Sequence, residues 1–214
     1  MGNSSHCQLY KIHESSQYAG ALSTIVHDAD VLIFDDGSMY KGEMRNKKPH
    51  GKGVLTRKDG SVHDGEFENG YSNGYAIVKY PNGDSFKGYF VRGKRHGHGQ
   101  YSSSDFTYTG DWNNGEMQGA GNIKYSDGRE YNGDFLANKF DGKGSYAFKN
   151  GVRFQGQFKD GKRHGPGSIT FQDGSVYNGT WELGKEVSAG VYNSKVGESV
   201  LGMWNEGTFY PKYQ

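Results

Sequence analysis

The stretch GKRHGPG (residues 161–167) sets Lys162, Arg163 and His164 between glycines, and GKRHGHG (residues 93–99) repeats the arrangement with Lys94, Arg95 and His96. A basic knot on a Gly-x-Gly loop has the parts of an anion cradle, and its histidine could ligate a metal or carry a proton. The context argues against both. Phosphate loops of this kind join a strand to a helix N-terminus. Here each Gly-x-Gly runs into another alternating segment, and no Gly-Lys-Ser/Thr ending occurs. His50, His96 and His164 come one to a copy, and 46 residues separate His50 from His96. In strands that separation is roughly 20 Å, too far to share a metal. His96 and His98 alone leave a ligand set incomplete. No Ser-His-Asp or Cys-His arrangement stands out, so no catalytic residue, metal or cofactor is expected.

The elements that carry these knots show in the spacing. An aromatic-x-Gly start recurs at Tyr40, His63 (as HDGEF), Phe86, Tyr108, Tyr131, Phe154, Tyr177 and, as VLGMW, Val200, at intervals of 23, 23, 22, 23, 23, 23 and 23 residues. An earlier, decayed copy runs from Tyr18 to Met39. Each full copy reads aromatic-x-Gly-x-aromatic, a turn, a Gly-x-Gly pair, an alternating run, then Asp-Gly or Asn-Gly. Two strands and two turns fit 23 residues, and Asp59, Asp127 and Asp173 are turn residues in this reading. Side chains alternate along a strand. Tyr108, Gly110 and Trp112 therefore share one face, as do Gly165, Gly167, Ile169 and Phe171. One face is glycine plus aromatic, and the other is mostly polar. The glycines leave troughs in which the protein's own rings lie against the backbone. No window sustains a helical period. Consecutive hairpins with short connections give an all-β, elongated, single-layer antiparallel meander with degenerate caps.

Composition agrees. Among 214 residues there are 35 Gly, 16 Tyr, 12 Phe and 3 Trp, a mixture unlike a disordered linker. The net charge of +1 speaks against a protein built around nucleic acid. A single cysteine, Cys7, excludes an internal disulfide framework and fits a reducing, cytoplasmic setting. No apolar run approaches membrane-spanning length, and no signal-peptide core is visible.

The repeat resembles the MORN repeat (membrane occupation and recognition nexus). That family's unit has 23 residues: a Y-x-G-x-W/F start, a G-x-x-H-G-x-G turn, then D-G. The resemblance is closest in FQGQFKDGKRHGPGSITFQDGSVY, clear in YKGEMRNKKPHGKGVLTRKDGSV, and spans about Tyr40 to Gly184. Asn73, Gln118 and Asp141 replace the histidine in three copies. The copy beginning at Phe86 is one residue short and ends on Asp105-Phe106, and the copy beginning at Tyr177 has VSAG (Val187–Gly190) in place of HG-x-G. The implied domain plan is a tail at 1–17, a degenerate repeat or cap at 18–39, seven repeats at 40–199 with the last degenerate, and a truncated repeat or cap at 200–214. The resemblance implies a non-enzymatic adaptor in cytoskeletal, ciliary or flagellar, or membrane-linked assemblies.

Three sets of site residues follow. Phe67, Phe90, Trp112, Phe135, Phe158 and Trp181 form an aromatic stripe with no second layer to cover it; it should line a groove for a partner's helix or extended peptide. Lys47, Lys48, Lys94, Arg95, Lys162 and Arg163 should project from one edge, either as plain edge protection or as a surface for anionic phospholipid or an acidic partner. Gly2 and Cys7 could take a myristoyl and a palmitoyl chain, although His6 stands where the acylation pattern wants Ser or Thr. The terminal edges could also pair two copies across a two-fold axis.

Overall fold

The computed structural model describes residues 22–25, 31–205 and 208–212. The lipidation residues Gly2 and Cys7, the tail at 1–17 and much of the 18–39 cap lie outside them. Among the described residues there are nineteen strands and no helix. They form two compact units, one ending at Glu116 and one beginning at Met117. The first holds β1 (Leu22–Ile25), β2 (Val31–Phe34), β3 (Met39–Arg45), β4 (Lys48–Thr56), β5 (Val62–Glu68), β6 (Tyr71–Lys79), β7 (Ser85–Val91), β8 (Lys94–Ser102) and β9 (Phe106–Asn113). The second holds β10 (Glu116–Tyr125), β11 (Glu130–Leu136), β12 (Lys139–Ala147), β13 (Arg153–Lys159), β14 (Lys162–Thr170), β15 (Val176–Glu182), β16 (Lys185–Glu186), β17 (Gly190–Asn193), β18 (Ser199–Asn205) and β19 (Thr208–Pro211). Within each unit consecutive strands pair antiparallel, the open meander that the period predicts.

Two kinds of turn alternate. The tight one joins the two strands of a repeat and has two residues at positive φ: Asn46-Lys47 (51° and 59°), Asn69-Gly70 (52° and 92°) and Asp160-Gly161 (50° and 78°). Such turns match the twist of the strands they join. The other turn carries Asp-Gly or Asn-Gly. There Asp59 Oδ1 accepts from the Ser61 N–H at 2.8 Å and Asp173 Oδ1 from the Ser175 N–H at 3.0 Å.

The glycine troughs are real. A Cβ on Gly144 would stand 2.6 Å from Cε2 of Tyr131, and one on Gly167 2.6 Å from Cζ of Phe154. Beyond each trough the pairing slips, between Gly65 and Phe67, Gly133 and Phe135, and Gly156 and Gln157. A β-bulge of this kind bends the strand and leaves backbone groups without ladder partners. The tyrosine across the trough fills that need: the Tyr40, Tyr108 and Tyr131 hydroxyls donate to the Glu43, Asp111 and Asp134 carbonyls at 2.8, 2.8 and 2.9 Å. Burial pushes the Tyr40 hydroxyl up to about 12 and raises those of Tyr108 and Tyr131 as well.

The aromatic face is the core. Each repeat's first ring meets the second ring of the next repeat edge-on: Tyr40 with Phe67 at 5.0 Å, Phe86 with Trp112 at 5.3 Å, Tyr131 with Phe158 at 5.1 Å and Phe154 with Trp181 at 5.1 Å. These T-shaped contacts run from repeat to repeat within each unit, and they suit the ring quadrupoles.

Candidate partner-binding surface

Phe67, Phe90, Trp112, Phe135, Phe158 and Trp181 retain 3, 4, 2, 2, 6 and 3% of their exposure. Each of the six rings is buried in the core of its own unit, so the expectation of an open groove lining is corrected. The physical reason is a covering position just inside each tight turn. Pro49, Ser72, Arg95, Met117 and Phe140 occupy it and are buried, and Arg163 is mostly so. Phe67 pairs with Ser72, Phe90 with Arg95, Phe135 with Phe140 and Phe158 with Arg163. The turns themselves interlock. The N–H groups of Gly70, Gly93 and Gly184 donate to the carbonyls of Pro49, Ser72 and Arg163, the covering residues one repeat earlier.

The covering position also corrects the basic edge. Lys47, Lys48, Lys94 and Lys162 are exposed at or beside the tight turns, as expected. Arg95 is fully buried, its guanidinium 4.4 Å from the Trp112 ring centre and 5.4 Å from those of Phe86 and Tyr101. Arg163 lies 5.6 Å from the rings of Phe154 and Trp181, and its Nη2 donates to the Gly184 carbonyl at 3.3 Å. Burial lowers the Arg163 pKa, against the opposing pull of Glu186. A planar cation stacked on rings is a core element here, not an edge charge. The signal was present in the alternation: Arg163 has the parity of Gly165, Gly167 and Ile169, which were already assigned to the aromatic face.

The histidines diverge. His50 and His164 are half-buried residues of strands β4 and β14, two residues in from the tight turns, while His96 and His98 are exposed, His98 sitting 3.1 Å from Asp111. His63, named in the sequence only as the start of a copy, takes the place of the first ring of its repeat. It is buried against Phe67 and Phe90 at 5.4 and 4.7 Å, with Ser72 Oγ 3.5 Å from Nδ1. Burial, helped by the nearby Arg57 charge, pushes its pKa down to about 3. Among the described residues no group of three or more His, Cys, Asp and Glu could hold a metal.

With the rings buried, the accessible surface is the outward, polar face. In the second unit, a concavity of about 620 Å³ opens on β11–β14 and is lined by Glu130, Asn132, Lys143, Ser145, Gln155 and Gln157 among others. Its floor, Asn132, Ser145 and Gln155, is the middle of a longer registered row. Asn122 pairs with Asn132, Asn132 with Ser145, Ser145 with Gln155, Gln155 with Ser168, and Ser168 with Asn178. Amides and hydroxyls stand one strand apart, at about 4.8 Å. The sequence showed this face only as polar; register alone shows that the polar groups line up.

Among solved structures, the TCP domain of Drosophila melanogaster SAS-4 (dCPAP), in complex with a proline-rich motif of Ana2 (dSTIL), is similar at 14% identity and a TM-score of 0.46, over 71% of this chain and 83% of that one. The G-box domain of the microcephaly protein CPAP is similar at 12% identity and a TM-score of 0.29, over 86% of this chain and 97% of that one. No curated protein matches the sequence. The family model for the MORN repeat matches residues 40–62, 63–85, 86–107, 108–128, 131–153 and 154–176. With rings, troughs and turns recurring at the same interval, the chain belongs to the MORN-repeat family.

Proposed function

We propose that the protein is a non-catalytic scaffold that holds a partner's helix or extended peptide on the outward face of its sheet, within a cytoskeletal or membrane-linked assembly. The observation that carries this reading is the concavity on β11–β14, a recess floored by hydrogen-bonding side chains on rigid strands. Asn132 and Gln155 are exposed on it, while the aromatic face is closed by its own rings and covering residues. Membership of a repeat family built for protein interaction supports the same reading. Photo-crosslinkers placed at Asn132 and Gln155 should capture a partner, and Ser145→Trp, which fills the recess, should abolish capture. A partner captured equally well by Ser145→Trp sinks the proposal.

A second reading rests on the four exposed lysines, Lys47, Lys48, Lys94 and Lys162. Each would contribute about 1 kcal/mol near an anionic bilayer. Co-sedimentation with phosphatidylserine or phosphoinositide vesicles at low salt decides it, and no binding removes the membrane surface as a partner.

A further inference from the structure

We infer that the concavity on β11–β14 selects an acidic peptide, a conclusion that rests on the docking reading above and gives the occupant its chemistry. Three charged side chains line the recess: Glu130, Lys143 and Arg153. Glu130 is already engaged. It accepts from Asn122 Nδ2 at 2.7 Å and lies 3.9 Å from Lys124 Nζ. Lys143 and Arg153 are exposed, and among the described residues neither has a carboxylate within ion-pair distance. Elsewhere in the second unit, Lys139 pairs with Asp160 and Arg129 with Asp127, away from the recess. The recess therefore presents two cationic side chains outside any ion pair against one lining carboxylate, Glu130, with the Asp134 carboxylate accepting from the Lys143 backbone N–H at 3.0 Å beside it.

Their placement is specific. Lys143 pairs with Gln157 at one end of the β12–β13 ladder, and Arg153 pairs with Ala147 at the other. Four residues of strand and one strand spacing separate them, on the order of 14 Å. Ser145 and Gln155 pair between them, so an uncharged hydrogen-bonding floor is bracketed by two cations. An anion bound at one point would meet only one of these charges. A chain carrying carboxylates about three helical turns apart, or four residues apart if extended, meets both while its polar groups lie on the floor. The six rings Phe67, Phe90, Trp112, Phe135, Phe158 and Trp181 are buried, so they offer no exposed face to stack on a ligand.

Fluorescence anisotropy with labelled 16-residue peptides of alternating Glu and Ser, Gln and Ser, or Lys and Ser tests the inference. The Glu/Ser peptide should bind, with the other two weaker by about tenfold or more. The double variant Lys143→Glu/Arg153→Glu should weaken it by about tenfold, and Lys47→Glu/Lys48→Glu, exposed charges outside the recess, by less than about twofold. Both pairs are exposed, so thermal melts should match the wild type. An equal loss in the two double variants would overturn the inference, because any basic surface would then serve. Gln/Ser binding as tight as Glu/Ser, and lost in Ser145→Trp, overturns the acidic choice but leaves the docking reading standing. Binding of phosphatidylserine vesicles that depends on Lys143 and Arg153, with no peptide bound, overturns it in favour of a membrane. No binding by any peptide or vesicle overturns both it and the docking reading.

Discussion

His63 carries the sharpest consequence at the scale of a residue. Its ring stands where Tyr40, Tyr131 and Phe154 stand in their repeats, and it fills the same core volume. A neutral imidazole is tolerated there; an imidazolium is not, because it would be desolvated and near Arg57. The folded pKa is about 3, against 6.5 for the free group. Above pH 6.5 both states are neutral and the residue adds no pH dependence. As pH falls from 6.5 toward 3, the unfolded chain takes up a proton that the folded chain refuses, and stability drops by about 1.4 kcal/mol per pH unit. The carboxylates held low by turn hydrogen bonds, Asp59 and Asp173, lose their contribution only as pH falls below 3.8, so they leave the window from 6.5 to 4 to His63. Urea unfolding of wild type and His63→Phe at pH 7, 6 and 5 checks this. The variant should be flat where the wild type slopes; parallel slopes would show that His63 is not the titrating group.

At the scale of an element, the period and the alternation made most of the sheet legible. Trough, ring and turn each follow from side-chain direction and from which residues tolerate positive φ. The closure of the aromatic face was not legible by the same route, because it depends on a bulge. Bulges arise from hydrogen-bond register, and no residue type announces them beyond a glycine already assigned to the trough. Arg95 and Arg163 were therefore placed at an edge by their charge, although their parity pointed inward. The covering position accepts Pro, Ser, Arg, Met and Phe, so volume over the rings matters more than charge. Arg95→Met, which reproduces what Met117 does in its own repeat, should unfold at about the wild-type urea midpoint. Arg95→Ala should lose about 2–3 kcal/mol, as a buried large-to-small change does. Equal losses in the two variants would instead assign the role to the guanidinium. The tight turns allow a gain: Leu183 is at φ 46° before Gly184, where a branched side chain is strained. Leu183→Asn should raise stability by about 1 kcal/mol in the same assay, and a neutral or lower midpoint argues against strain at that turn.

At the scale of the whole molecule, repeats within each compact unit are held by their neighbours through edge-on rings and interlocked turns. Stability is then a sum of repeat and nearest-neighbour contributions, and damage stays local. Gly144→Ala puts this to the test. The new methyl group would meet the Tyr131 ring, which cannot yield, because Phe135 and Phe158 stand edge-on to it at 5.2 and 5.1 Å and Phe140 stacks on it at 3.7 Å. Overpacking of this kind costs about 1–3 kcal/mol. Tyr131 loses its seat over the trough, and with it the hydroxyl contact to the Asp134 carbonyl. Amide hydrogen exchange should accelerate across β11–β14 and remain at wild-type rates across β5–β8, which belong to the other compact unit. The docking surface would suffer with it, since Asn132, Ser145 and Gln155 are presented by the strands that loosen. A uniform acceleration through both units would mean that the chain opens as one cooperative body, and would overturn the nearest-neighbour account.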